Sequence, residues 1–189
     1  MSYCADECEI ALPEHLAQGC VTSRRKGGLE HLVFMKCNKS FNDITDLAEW
    51  QAKIEAGDLV ASGKILGQKP KGSFTKAKFA SSTPEEVTGK TDTYQFKDYN
   101  AELDENKDIV FWSKIQKNYR NYVTAVVDTE DRVRGFFPNF SPEIDDVIEE
   151  DINGNTYVDG VISINTDGIV VPITVPGLGA LLKSTAPNP

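Results

Sequence analysis

The sequence predicts an α+β domain, built mainly on an antiparallel sheet curled into a β-sandwich or barrel, with two flanking helices. Three observations lead to this fold class. Apolar and β-branched runs of strand length recur along the chain, turn signals of hairpin length separate many of them, and two segments carry apolar residues at helical spacing. Strands and helices do not alternate regularly, which argues against a parallel sheet of βαβ units.

Composition suits one domain of ordinary size. The chain has 189 residues, of which 40% are hydrophobic and 26% charged. We divide it into an N-terminal, cysteine-containing arm (residues 1–28), a single β-rich domain (residues 29–176) with an extended loop (residues 67–90), and a C-terminal tail (residues 177–189). Pro13 breaks any long helix in the arm.

The first half of the domain begins with a strand at residues 29–37, LEHLVFMKC. A helix follows in DLAEWQAKIEAG, with Asp43 or Thr45 as its cap and Gly57 as its stop. Residues 59–66, LVASGKIL, have the composition of another strand. These elements predict a strand, a short helix and a second strand.

The extended loop at residues 67–90 is rich in Gly, Lys, Ser and Thr. Phe74, Lys76, Lys78 and Phe79 hint at a pair of strands within it. A polar excursion of this length inside a compact domain is more often an extended hairpin or a binding loop than a structureless segment. We expect it to reach a neighbouring subunit.

Residues 91–137 are the centre of the predicted fold. A strand through TDTYQF precedes a helix capped by Asp104, and a β-branched strand at residues 122–128 returns through a polar turn into residues 132–137. Neither a single helix nor a single hairpin can bury its apolar face alone, so the helix is expected to pack on the sheet. The residues at helical spacing are Ile109, Trp112, Ile115 or Gln116, and Tyr119.

In the last third, the segment PNFSPEIDDVIEEDINGNTY is predicted to begin as a Pro-bounded loop and to become a strand. The hairpin turn is expected at Asn153-Gly154-Asn155 and the return strand at residues 156–165. A final strand is expected at residues 169–175, with Pro172 indicating an edge position. The C-terminal tail is expected to be loosely ordered, with leucines that could dock on a partner: Leu178, Leu181 and Leu182.

Charge restricts the classes of partner. The net charge of −9 argues against tightly held nucleic acid, because phosphate binding depends on Lys and Arg. Basic residues cluster at 23–26 and 64–78, whereas residues 143–151 are strongly acidic. Such asymmetry fits either a solvated surface or head-to-tail packing of like subunits. No apolar run is long enough to span a bilayer, and the N-terminus lacks the basic residues of a secretory signal. We therefore expect a protein that is not exported and does not associate with a membrane.

The cysteines are the first candidates for a chemical site. A tetrahedral zinc site is geometrically possible, with His15 or His31 as substitute ligands, but the spacing lacks the close pairs of typical zinc knuckles. Free thiols in a reducing compartment are the preferred interpretation, and no cofactor is expected. The cysteines are Cys4, Cys8, Cys20 and Cys37.

Catalytic signals are weak. His15 and His31 are the two histidines available as bases, and neither lies in a recognisable nucleophile motif. The chain has no phosphate-binding loop of the GxxxxGK type and no GxGxxG fingerprint. Adjacent acids in residues 143–151 are more typical of a solvated face than of a general acid and base. We therefore predict no enzyme and no catalytic residue.

The layout resembles the structural subunits of tailed-bacteriophage virions, most closely tail-tube (major tail) proteins of phages that infect Bacteroidetes. The resemblance covers most of the chain. It rests on Cys20 at the end of the arm, Gly27-Gly28 before the first strand, TDTYQF before a helix, and YVTAVVDTEDRVRGFF after that helix. The lysine-rich loop and the acidic residues 143–151 depart from the pattern, and also fit a neck or ring subunit or a head decoration protein.

This resemblance implies a tail-tube-like subunit, made in the host cytoplasm, that assembles into hexameric rings in the virion tail or neck. The rings would contact other virion proteins, and DNA would pass through them without specific binding. The implied contacts between subunits are Lys69, Lys71, Phe74, Lys76 and Lys78. The implied acids of the channel lumen are Asp128, Glu130, Asp131, Asp145, Asp146, Glu149 and Glu150.

A binding module is the alternative from another class. In this hypothesis the four cysteines hold zinc, and aromatic residues line a carbohydrate or other ligand site. The aromatic candidates are Tyr94, Tyr99, Trp112 and Phe136.

Overall fold

The computed structural model describes residues 28–78, 85–99, 108–149 and 156–185. These residues form ten strands, three α-helices and one 3-10 helix at Tyr119–Asn121. The strands are β1 (Leu29–Lys36), β2 (Leu59–Ala61), β3 (Leu66–Gln68), β4 (Ser73–Ala77), β5 (Glu86–Asp98), β6 (Tyr122–Asp128), β7 (Arg132–Phe137), β8 (Phe140–Ile148), β9 (Thr156–Thr166) and β10 (Ile173–Thr174). The helices are α1 (Leu47–Glu55), α2 (Asp108–Asn118) and α3 (Leu178–Thr185).

All ten strands belong to one antiparallel sheet, which confirms the α+β class. The strand order is β10-β7-β6-β1-β3-β5-β9-β8, with β2 paired to β1 and β4 paired to β5. The two ends of this order, β10 and β8, do not pair with each other, so the sheet is open. Three helices accompany it where the sequence predicts two. Within these described ranges, no helix has the length and apolar content needed to cross a membrane.

Strand β1 is the centre of the structure because both of its faces are buried. Leu32 and Phe34 point into a first core, and Val33 and Met35 point into a second. This arrangement follows from the alternation of side chains along a strand, since every residue of the central run is apolar. Helix α2 covers the first core, whereas α1 and α3 contribute to the second.

The open sheet is nevertheless strongly curled. Strands β3, β5 and β9 lie between β1 and β8 in the sheet order. A flat sheet would therefore separate β1 and β8 by about 19 Å, at roughly 4.8 Å per strand. The ring centroids of Phe34 in β1 and Phe140 in β8 are only 6.0 Å apart. The sheet thus folds around the first core and brings distant strands into contact.

Helix α2 packs into this curl as predicted. Trp112 is buried at 1% exposure, and its indole N–H donates a hydrogen bond of 2.9 Å to Asp98 of β5. Its ring lies edge-on to Phe34 and tilted against Phe96. The predicted cap, Asp104, lies outside the described residues.

The N-cap of helix α1 lies one residue after Thr45, the nearer of the two predicted caps. Asp46 is the N-cap and accepts a hydrogen bond from the Ala48 N–H, whereas Asp43 accepts hydrogen bonds from Thr45 in the preceding turn. The prediction of Asp43 or Thr45 was wrong because both residues are used to build that turn. Gly57 ends the helix segment with a φ of +66°, as the sequence predicts.

Two predicted strands are shorter than expected. Residues 59–66 do not form one strand, because the Ser62 hydroxyl accepts a hydrogen bond from the Leu32 N–H and the chain bends between β2 and β3. Residues 169–175 form only β10, which pairs with β7. Pro172 directly precedes β10, which lies at the edge of the sheet, as its residue type predicts.

The predicted hairpins agree with the observed pairing. Strands β6 and β7 pair through the turn at residues 129–131, where Asp131 adopts a φ of +57°. Strands β8 and β9 pair antiparallel along their length. The turn expected at Asn153-Gly154-Asn155 lies outside the described residues.

The C-terminal segment corrects the prediction of a loose tail. Helix α3 begins at Leu178, and Leu178 and Leu182 are fully buried in the second core. Their spacing of four residues places them on one helical face. The leucines therefore dock on their own chain, beside Trp50 of α1 and Val133 of β7, instead of on a partner.

Candidate functional site

The most exposed regular structure is the hairpin of β4 and the first part of β5. Residues 73–76 and 85–88 are all exposed, so both faces of the hairpin meet solvent. Strand β9 pairs with β5 only from Lys90 onward, which leaves Glu86–Gly89 supported by β4 alone in the described structure. The extended loop predicted at residues 67–90 thus contains a two-stranded arm that projects beyond the sheet.

This arm displays apolar and basic side chains together. The side chains of Phe74 and Val87 both reach solvent: Phe74 is 49% exposed and Val87 is 58% exposed. Lys71, Lys76 and Lys78 are exposed and form no ion pair within the described residues. We call these three lysines, which lie along β4 and its flanks, the basic edge.

Lys69 differs from the other predicted contact residues, because it is engaged inside the subunit. Its ammonium lies 2.7 Å from the Asp92 carboxylate, which also binds Lys90 at 2.9 Å. Asp92 is fully buried; burial alone would raise its pKa, but the hydrogen bonds from Lys69 and Lys90 outweigh this and hold the pKa below its usual value. This network fastens the base of the arm to β5.

Strand β8, at one end of the sheet order, carries acids. Glu143, Asp145 and Asp146 of β8 are exposed and form no ion pair in the described parts of the chain. Among the described strands, β8 pairs only with β9, so its other side is an edge of the sheet. We call these three residues the acidic edge. Of the other predicted lumen acids in this stretch, Glu149 is exposed just after β8, and Glu150 lies outside the described residues.

Two of the three remaining predicted lumen acids, Asp128 at the end of β6 and Asp131 in the β6–β7 turn, have partners within the subunit. Asp128 is 4% exposed and accepts hydrogen bonds from Arg132 and Arg134. Burial would raise the pKa of Asp128, but hydrogen bonds from the Glu130 N–H and from Arg134 lower it overall. The lumen role does not fit this residue, because its carboxylate faces arginines instead of solvent.

Asp131 likewise has an internal partner. Its carboxylate accepts hydrogen bonds of 2.9 Å from the Gly177 N–H and 2.8 Å from the Gly179 N–H, at the start of α3. These N–H groups would otherwise lack helical acceptors. Glu130 is the exception in this turn, since its side chain is 38% exposed and, among the described residues, pairs only with Arg132, at 3.2 Å.

The aromatic residues proposed for a ligand site do not converge. Tyr94 and Trp112 are buried in the first core. Phe136 packs against Trp50 in the second core, with ring centroids 5.7 Å apart. Tyr99 is exposed and stacks on Tyr157. The four rings therefore do not form one ligand site.

The zinc hypothesis rests mainly on residues outside the described ranges. Cys37 is exposed, and Cys4, Cys8 and Cys20 lie before residue 28. Among the residues that the structure describes, no group of three or more His, Cys, Asp or Glu side chains is arranged to hold a metal ion. Zinc binding by the cysteines stays a prediction.

His31 is buried, with 1% of its surface exposed. Its Nδ1 is 3.1 Å from the Ser62 carbonyl oxygen, and its Nε2 has no partner in the described structure. Burial lowers the pKa of His31 below its ordinary value of 6.5. A neutral histidine enclosed in this way stabilises the bend after β2 instead of serving as an accessible base.

Two grooves on the surface of the described residues are candidate ligand sites. One, of about 550 Å³, lies over β3, β5 and β9 and is lined by Leu66, Gln95, Lys97, Asp159 and Val161. Another, of about 440 Å³, lies beside Tyr119 and Arg120. Neither groove brings a nucleophile and a base together. Both are lined by polar and apolar residues, as is usual for exposed protein surface.

Sequence reasoning missed the internal roles of Asp92, Asp128 and Asp131. For Asp131 the sequence contained one indication of a structural role. The residue lies in a short polar turn after a β-branched strand, a position where Asp tolerates positive φ. Comparison of the chain with protein-family models, with curated proteins and with solved structures found no match. The candidate site is therefore defined by geometry alone: a projecting arm with a basic edge, and an acidic edge on β8.

Proposed function

We propose that this protein is a structural subunit of a bacteriophage virion that assembles with copies of itself into rings, in the tail tube or the neck channel through which DNA passes. One observation carries the proposal. The β4–β5 arm is exposed on both faces and presents Phe74 and Val87 to solvent. A two-stranded ribbon of this kind is marginally stable alone and gains stability by packing on a neighbour.

The curl of the sheet supports the same proposal. We interpret it as an incomplete barrel, in which Phe34 and Phe140 meet across the first core and α2 fills the opening. An incomplete barrel leaves unpaired strand edges, which are a hazard for a monomer and a means of association for an oligomer.

The charge of the subunit fits a channel for DNA. With a net charge of −9, a ring of several copies has a strongly negative field, which repels the DNA backbone and keeps it from adhering. The lysines of the basic edge are grouped on one arm, so they reduce this field only locally.

Electron microscopy of negatively stained protein over a range of concentrations, together with sedimentation velocity, tests the proposal. We expect rings or tubes with a central hole as concentration rises. Uniform monomers at every concentration would overturn ring assembly and would favour a head decoration or head-to-tail connecting role that needs another virion protein.

A paired variant links the assembly to the arm. Phe74→Ser with Val87→Ser removes the two exposed apolar side chains and is expected to raise the concentration needed for assembly by about tenfold or more. Ile169→Ser is the matched control, because Ile169 is 89% exposed but lies outside the arm. Equal effects of the two variants would show that general surface hydrophobicity, and not the arm, drives association.

A further inference from the structure

We propose that the basic edge of one subunit pairs with the acidic edge of the next, so that β4 of each copy extends the sheet of its neighbour beside β8. This inference rests on the proposed self-assembly and adds the two surfaces that meet. The occupant of the β8 edge is thus a second copy of this chain.

Each of the two strands has an edge to which no other strand pairs in the described structure. In the described structure, β4 pairs only with β5, and β8 pairs only with β9. Each strand therefore presents one row of N–H and C=O groups without a strand partner. Strand β8 spans nine residues and β4 spans five, so β8 is long enough to receive the whole of β4.

The charges on the two edges are opposite, and none of them forms an ion pair with another described residue. Residues 69–78 contain four lysines and no acid. Of these lysines, only Lys69 has an ion-pair partner in the described part of the chain. Strand β8 contains three acids and no basic residue, and none of these acids has an ion pair among the described residues.

Alternation along a strand distributes the acids over both sides of the β8 edge. Asp145 and Asp146 are neighbours in sequence, so their side chains point to opposite faces of the sheet. An approaching strand consequently meets negative charge above and below its backbone. The exposed Lys76 of β4 and the exposed Lys71 and Lys78 beside it suit this environment, whereas a second acidic strand does not.

Charge also decides the symmetry of the contact. Two β8 edges repel each other, as do two β4 edges, whereas a β4 edge and a β8 edge attract. The attraction favours a head-to-tail contact between unlike surfaces over a two-fold symmetric dimer. Head-to-tail contacts produce closed rings when the rotation between copies closes. The acids Asp145 and Asp146 then belong to the contact between subunits instead of the channel lumen.

Charge reversal of each edge tests the pairing. The first variant carries Lys71→Glu, Lys76→Glu and Lys78→Glu, and therefore has two acidic edges. The second carries Glu143→Lys, Asp145→Lys and Asp146→Lys, and has two basic edges. A third variant combines all six substitutions and restores opposite charges with their positions exchanged.

We expect neither single-edge variant to assemble alone at concentrations where the wild type forms rings. An equimolar mixture of the two is expected to assemble, because each edge then finds an opposite edge on the other variant. The third variant, with all six substitutions, is expected to assemble alone and keeps the net charge of −9. The second variant has a smaller net charge than the wild type, so general repulsion cannot explain its failure.

Circular dichroism and thermal unfolding of each variant establish that it is folded, and all substituted side chains are exposed. Sedimentation velocity then measures assembly. If the wild type assembles and both single-edge variants assemble equally well, the pairing of edges is wrong while the proposed function stands. If the wild type stays monomeric at every concentration, the proposed function itself fails, and the inference fails with it.

Discussion

Gly160 of β9 lies directly opposite Phe96 of β5 in the sheet, and the aromatic ring of Phe96 occupies the space that a side chain at Gly160 would fill. The ring is 2% exposed and also packs against Trp112 of α2, with centroids 4.6 Å apart. The absence of a side chain at this one position therefore allows β5, β9 and α2 to meet in the first core.

Gly160→Ala is expected to destabilise the protein by about 1–3 kcal/mol, because the added methyl group forces the Phe96 ring away from its packed position. Chemical denaturation followed by tryptophan fluorescence measures the change. Gly89→Ala is the matched control, since Gly89 also lies in a strand but has open space around the position of the new methyl group. A similar loss at both sites would contradict the packing explanation.

Local patterns predicted the elements around this core but not the contacts between distant ones. The alternation in TDTYQF, the helical spacing of Ile109, Trp112 and Ile115, and the turn after β6 all depend on neighbouring residues, and the structure confirms them. The packing of Phe34 on Phe140 depends on the curl of the whole sheet. No short-range pattern encodes that curl.

In the candidate site, too, the local features could be predicted from the sequence and the tertiary contacts could not. The charge difference between the lysine-rich loop and the acidic run is visible in the sequence. Which acids are free depends on tertiary contacts: Asp128 and Asp131 are occupied by arginines and by the start of α3. The same limitation explains why Leu178 and Leu182 were assigned to a partner. The second core in which they are buried is formed by strands and a helix that lie far earlier in the chain.

Asp131→Ala is expected to lower the free energy of unfolding by about 1–2 kcal/mol, because the Gly177 and Gly179 N–H groups lose their acceptor. The residue also adopts positive φ, which Asn tolerates better than Ala. Asp131→Asn should therefore lose less, since it keeps one side-chain oxygen. Urea denaturation measures both variants.

Glu130→Ala is the control for this prediction. Glu130 is adjacent in sequence, but its side chain is 38% exposed and forms only a pair with Arg132. Surface pairs contribute about 0–1 kcal/mol, so a small change is expected. An equal loss from Glu130→Ala and Asp131→Ala would show that the cap of α3 contributes little.

Asp92→Asn is expected to destabilise the protein by about 3 kcal/mol at pH 7, since it leaves Lys90 buried beside a neutral group. The folded-state pKa of Asp92 lies below its usual value. The stabilisation from its carboxylate is therefore complete above the unfolded-state pKa of about 3.9 and is lost as pH falls below it. Urea denaturation at pH 7 and pH 3 should show a smaller difference between variant and wild type at pH 3.

The exposed residue Asp167 provides the comparison for Asp92. Asp167→Asn is expected to change stability by less than about 0.5 kcal/mol at either pH. A constant difference between Asp92→Asn and the wild type from pH 7 to pH 3 would contradict the role of the ionised Asp92 carboxylate in holding Lys69 and Lys90.

Leu182→Ala is expected to destabilise the protein by about 2–5 kcal/mol, because Leu182 is fully buried in the second core and the substitution leaves a cavity. The loss should appear in the unfolding of the whole domain, because the same core includes Trp50 of α1 and Val127 of β6. Ile169→Ala, at a residue 89% exposed, is the control and should change stability by less than about 0.5 kcal/mol. If Leu182→Ala were equally silent, α3 would not be part of the folded core, and its leucines would again be available for contact with a neighbouring subunit.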